Sequence, residues 1–285
     1  MSGADVSQVT GAPRRDFVQT LAEWVYDKPA HGLKILMYGT TWIEFFQGKK
    51  FDPTSTPAKI RGTATALKLF DGGFRELPKK VWGAGVAIEK AWSNLSFKAI
   101  TTHLTPQNFS VETVKEGVKE VVSKNWGRVR EATFKLLDCV SPALDSMELL
   151  EMQNIAKVPA RIMNFAKKVN GPVMVTVFAE KARVAHGKYK TAQETDLSSL
   201  PESTEKDRAD KADKIEEKRV TLNKQWYDRA NAISYIALGI LLTAIFIFGI
   251  VVPPIATTAA ATSALVFAIL GYYSEKWGAR IPAVA

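Results

Sequence analysis

With 285 residues, 46% of them apolar, a single cysteine and a net charge of +9, the chain has room for one or two domains and a real hydrophobic core. The lone Cys139, set in an apolar run, excludes an internal disulfide and fits inert burial in a reducing compartment. Its basic surplus is scattered among acids, without a dense Lys/Arg run or a nucleic-acid module, so it points to anionic lipid rather than to nucleic acid.

Met1 to Pro13 is polar, lacks the apolar core of a secretory leader and reads as a disordered N-terminus over 1–13. Arg14-Arg15 has the look of a twin-arginine signal, but Glu23 and Asp27 interrupt the segment that would have to be apolar. A helical cytosolic domain is expected over 14–190. Phe17, Leu21, Trp24 and Val25 form its first stripe, and Pro29 ends that helix. Leu33 to Phe46 is apolar on nearly every face and too short to span, so it is either buried in a bundle or laid in a membrane interface. After turn-rich Gln47 to Pro57, Ile60, Ala64, Leu67, Phe70, Phe74 and Leu77 keep a 3.6-residue period up to Pro78, beside an edge of Lys59, Arg61, Lys68 and Arg75. Ile60, Leu67, Phe70, Phe74 and the four basic residues are the candidate lipid- or partner-binding set. An ordinary surface helix of a bundle is the competing reading.

Val81, Trp82, Ile88, Trp92 and Leu95 predict a third helix. A loop at Thr101 to Ser110 precedes another stripe at Val111, Val114, Val118, Val121 and Val122. From Trp126 to Leu150 the pattern crosses Ser141-Pro142, which should kink the helix rather than end it. It then continues through Met152, Ile155, Ile162, Met163 and Phe165 to Gly171, a C-terminal stop, with Pro172 opening the next element. Val173 to Phe178 is the one segment that also reads as a strand.

Composition changes at Thr191, and 191–229 reads as a charged stalk or linker. Ser199 and Glu202 resemble a capping box, and Asp207 to Lys211 and Asp210 to Lys214 are acid-before-base i,i+4 pairs. From Ala230 to Ser274 no Asp, Glu, Lys, Arg or His occurs. Two arms, Ile233 to Val252 and Ile255 to Tyr273, flank Pro253-Pro254 and predict a transmembrane helical hairpin over 230–274. Ile233, Leu241, Phe248, Pro253, Pro254, Ala264, Phe267 and Leu270 are its expected membrane-spanning residues.

Lys218, Arg219, Lys224 and Arg229 precede the hairpin, Lys276 and Arg280 follow it, and its turn is uncharged. Both termini, including a 275–285 tail, are therefore expected on the cytosolic side of an unidentified membrane. Trp226, Tyr227, Tyr235, Tyr272, Tyr273 and Trp277 are placed as interfacial belts. Ala260, Ala264 and Ala268 form a small-residue stripe, either meeting the first arm at Gly239 and Thr243 or forming a homo-oligomer seam.

Catalytic constellations are missing. His31, His103 and His186 have no i,i+3 or i,i+4 partner and read as surface or capping residues, and Gly83-Ala84-Gly85 lacks the preceding strand and third glycine of a dinucleotide loop. No catalytic, cofactor-binding or metal-binding residues are expected, and the chain does not read as an enzyme.

The segment "NAISYIALGILLTAIFIFGIVVPPIATTAAATSALVFAILGYYSEKW" at Asn231 to Trp277 resembles the bilobed anchor of chlamydial inclusion membrane proteins, although there the anchor is more often N-terminal. "LKILMYGTTWIEFF" at Leu33 to Phe46 and "AKIRGTATALKLFDGGFREL" at Ala58 to Leu77 are similar to the peroxins that elongate peroxisomal membranes. Neither resemblance implies catalytic residues. The expected protein is all-α: a cytosolic amphipathic helical bundle, a charged helical stalk and a C-terminal two-helix hairpin. Its expected work is scaffolding, tethering or shaping a membrane, with an anionic bilayer and a protein as partners. The alternatives are an inclusion-type effector that recruits host proteins, and a membrane-bound enzyme or channel subunit.

Overall fold

The computed structural model describes residues 17–48, 54–94, 111–198, 200–201 and 203–277. Met1 to Pro13, Leu95, the loop with His103, and Ser199 and Glu202 of the expected cap lie outside them, as do the side chains of Val111, Val114, Val118, Val121 and Val122. Every regular element among the described residues is a helix, Val173 to Phe178 included.

Helices α1 (Phe17–Asp27) and α2 (Pro29–Phe46) meet at Lys28, with Pro29 in the first turn of α2, where its missing N–H is tolerated. Helix α3 (Thr56–Phe70) starts on Ser55, whose Oγ accepts the Ala58 N–H at 3.3 Å. The expected end at Pro78 does not occur. A π-helical segment, Asp71–Glu76, joins α3 directly to α4 (Leu77–Asn94), and Pro78 falls in the first turn of α4.

Helix α5 (Val111–Leu137) does end near Ser141-Pro142, where only a kink was expected, and α6 (Val140–Met152) begins after a two-residue turn. Pro142 has no N–H for the Asp138 carbonyl, which instead accepts Lys80 Nζ at 3.2 Å. Conversely, Gly171-Pro172 stops nothing: α7 (Ala160–Glu194) runs through both. Gly171 serves close packing there, since a Cβ on it would lie 2.8 Å from Thr243 N and 2.9 Å from Gly239 O.

The stalk and the first arm are one helix, α8 (Glu205–Phe246), whose 42 residues extend about 63 Å. Its capping box is formed by Thr204 and Asp207. The uncharged part of α8 stops at Phe246, so it is about 25 Å long and shorter than the expected arm. Gly249, at φ +66°, turns the chain, and the Ile250 N–H returns to Ala244 O at 3.0 Å. Phe248 and Pro253 thus lie in the turn rather than in a span, and Pro254 opens α9 (Pro254–Trp277).

Helix α7 runs antiparallel along α8: Gly171 faces Thr243, Phe178 stacks on Tyr235 and Tyr189 meets Arg229. Helix α9 returns along the other side of α8, and α2 packs on both α3 and α9. Helix α6 sits among the π segment, α3 and α7; Gly73 lets it approach, since a Cβ there would lie 2.8 Å from Ser146 N. Core contacts are built on small residues. Ala87 and Ala91 meet Ala132 where α4 packs on α5, and Leu144, Met163 and Ala166 close α6 onto α7.

Candidate membrane interface

Helices α8 and α9 are the two described helices long and apolar enough to cross a membrane, and only 17% and 22% of their most apolar stretches are buried. Ile233, Phe248, Pro253 and Pro254 are exposed, Leu241, Phe267 and Leu270 are half-buried, and Ala264 is fully buried. Asn231 Nδ2 donates to Ala264 O at 2.5 Å, and Trp226 meets Phe267 edge to face. These contacts hold the two arms side by side.

The small-residue stripe does not meet Gly239 and Thr243. Ala261, Ala264 and Leu265 are buried, whereas Gly239 and Thr243 form a close crossing with Gly171 of α7. Small residues permit two helices to touch, but which pair touches is decided by the whole bundle. The first-arm aromatic belt also turns inward. Tyr227 is only 6% exposed, and Tyr235 stacks on Phe178 at 4.3 Å.

The arms are not freestanding. Trp42 Nε1 donates to Thr262 Oγ1 at 3.0 Å, Tyr272 Oη donates to Asp27 Oδ2 at 3.1 Å, and Lys34 Nζ donates to Tyr235 Oη at 3.2 Å, so α1 and α2 lie against the hairpin. Their neighbourhood is inverted relative to a water-facing bundle. Leu36, Ile43, Phe45 and Phe46 of α2 and Ile162 and Phe165 of α7 point outward. Glu44 pairs with Arg61, Asp145 with Lys68 and Glu148 with Lys167, and no side chain of these six is more than 35% exposed. Lys59, Lys157, Arg161 and Lys168 are exposed. The helix directions carry these four toward the hairpin tip.

The candidate set on α3 and the π segment divides in the same way. Ile60, Leu67, Phe70 and Phe74 are all exposed, with Phe70 stacked on Phe74, while Ala64 and Leu69 face the bundle. Lys59 is on the surface, but Arg61 and Lys68 are drawn inward by Glu44 and Asp145, and Arg75 bonds Asp71 at 3.0 Å. The apolar face therefore lacks the continuous free basic edge expected of it.

His186 is exposed, but His31 is not the surface residue expected. It packs on Trp24, with ring centroids 5.1 Å apart. Burial, helped by the Lys34 and Lys28 ammoniums, pushes its imidazole down from 6.5 to about 3. The unfolded chain takes up this proton as pH falls below 6.5 and the folded chain does not. The associated stability is therefore complete above that pH and is lost on acidification, by about 2 kcal/mol at pH 5. Denaturant titrations should show the native chain losing that much between pH 7 and pH 5 and His31→Gln losing less. Equal losses would mean that the imidazole is solvated. Asp138 also shifts downward: burial raises its carboxyl, but Lys181 and Lys80 outweigh that and hold it below the ordinary range.

Among the described residues no three His, Cys, Asp or Glu side chains gather as a metal site. No family model, curated protein or solved structure matches the chain.

Proposed function

We propose that the chain is an integral membrane protein that works by contact, as a scaffold, tether or membrane-shaping element without catalysis. The observation that carries this reading is the uncharged α8–α9 hairpin with most of its apolar surface uncovered. Water would make that surface costly at about 25 cal/mol per Å², whereas hydrocarbon accepts it. Support comes from the inward ion pairs beside it, and from the basic side chains toward the tip and on the flanks, which suit the two headgroup layers. The flanks face the cytosol, and α4 and the free half of the stalk extend there. Trp82 and Trp92, each 77% exposed on α4, offer the surface for a protein partner, so recruitment of that partner to the membrane is the second reading.

Topology is tested by cysteine labelling in a Cys139→Ala background. Ser274 is fully buried, so Ser203 and Glu275, both exposed, are the flank positions, and Val251, 94% exposed, reports the tip. Ser203→Cys and Glu275→Cys should react with an impermeant maleimide from one face of sealed vesicles, and Val251→Cys only from the other. Reaction of all three from one face would remove the spanning hairpin. Release of the chain by alkaline carbonate would remove membrane integration altogether.

A further inference from the structure

A cleft of about 560 Å³ lies between α2, the π segment, α6 and α7, with Tyr235 of α8 in its wall. Lys34 enters this cleft. Its Nζ donates to Tyr235 Oη at 3.2 Å and lies 5.7 Å from that ring, yet no carboxylate is within ion-pair distance among the described residues. Tyr235 stacks on Phe178, and the Lys181 ammonium lies 4.6 Å over the other member of that stack. Two cations are thus held around one aromatic pair.

The remaining charges do not cancel them. Lys68 is matched by Asp145, Arg75 by Asp71 and Lys79 by Glu76, and Asp27 and Lys28, also in the lining, add one charge of each sign. Asp138 alone serves both Lys80, at 3.0 Å, and Lys181, at 3.3 Å. One ammonium in that triad and the Lys34 ammonium are left without a negative charge. His31 lines the same wall, and its buried Nδ1 has no hydrogen-bond partner. A desolvated cation and an unsatisfied ring nitrogen are both costly unless an outside group completes them.

We infer that this cleft binds a phosphate group, with Lys34 and Lys181 supplying charge and His31 a hydrogen bond from Nδ1–H. A phosphate, with several oxygens and up to two charges, fits separated donors better than a single carboxylate does. Tyr235 stands near the start of the uncharged stretch, so the phosphate of an anionic lipid headgroup can reach the cleft from the bilayer edge. That lipid source rests on the membrane reading above; the anion site itself does not.

The test uses the full chain in neutral detergent micelles, with thermal unfolding as the readout. Inorganic phosphate, or phosphatidic acid added to the micelles, should raise the melting temperature, whereas phosphatidylcholine should not. Lys34→Met removes a buried charge that lacks a carboxylate, so it should fold and should weaken the binding about tenfold or more. Lys181→Gln should weaken it as well, while Lys34→Arg should retain it and Arg183→Gln, at an exposed position, should leave it unchanged. A shift with inorganic phosphate identifies a soluble anion, and one confined to phosphatidic acid identifies a headgroup. Shifts that are absent, or identical in Lys34→Met and the native chain, overturn the inference. Phosphate binding that persists in a chain extracted by carbonate would leave the cleft standing and the membrane reading refuted.

Discussion

Gly171→Leu is expected to destabilise the protein by roughly 3 kcal/mol or more, because it drives a side chain into another helix's backbone. The first added atom would lie 2.5 Å from Thr243 Oγ1, 2.8 Å from Thr243 N and 2.9 Å from Gly239 O. Of these only the hydroxyl can turn aside. A Cβ added to Gly187, on the same helix, would meet nothing within 4 Å. Gly187→Ala should therefore stabilise by up to about 1 kcal/mol through helix propensity alone. Denaturant unfolding in detergent compares the two, with Gly171→Ala as the mild version. If Gly171→Ala stabilises as much as Gly187→Ala, α7 and α8 do not cross at that point.

Ile240→Arg should cost about 2.5–3.5 kcal/mol of membrane insertion. The matched control is Ile215→Arg on the same helix, since the two isoleucines are 55% and 51% exposed. Equal exposure means equal tolerance if both faces meet water, where such changes stay within about 0.5 kcal/mol. They differ only if one meets hydrocarbon. A glycosylation-based insertion assay should show Ile240→Arg impaired and Ile215→Arg unaffected. Matching behaviour would mean that the hairpin surface is covered by protein or solvated.

Much of the helical content was legible from periodicity: the α1 helix, the Ile60 to Leu77 face and the uncharged hairpin all depend on neighbours within two turns. Local signals failed where a residue served a distant partner. Gly171-Pro172 has the form of a helix stop, but this glycine is used as a gap for Thr243, which lies far along the chain. Pro78 likewise looks like a terminator, and the preceding π turn carries the helix into it. Lys68 and Arg61 fell on the basic edge of a helical wheel, yet Asp145 and Glu44, on other helices, decide where they point. The Lys34 cleft carried no sequence signal at all, because its charged and aromatic contributors come from separate segments of the chain. Leu33 to Phe46, apolar all round, read as either buried or interfacial, and the structure divides it: α3 and α9 cover part of it, while Leu36, Ile43, Phe45 and Phe46 stay exposed.

Because α8 has no joint between its charged and apolar halves, it behaves as a stiff shaft, whose apolar half the proposed function seats in a membrane. Rotation or tilt imposed at Glu205 is delivered to Phe246 without being absorbed by a linker. Angular phase is conserved along such a shaft: deleting one residue from its outer part, beyond the contact of α7 with Lys218, would turn the free end by about 100° and shorten it by about 1.5 Å. Deleting seven would bring it back to within about 20° of the original bearing. Whatever grips the far end of this shaft is thereby held at a fixed azimuth and distance from the hairpin, as a bracket holds a fitting, where a flexible tether would let it swing.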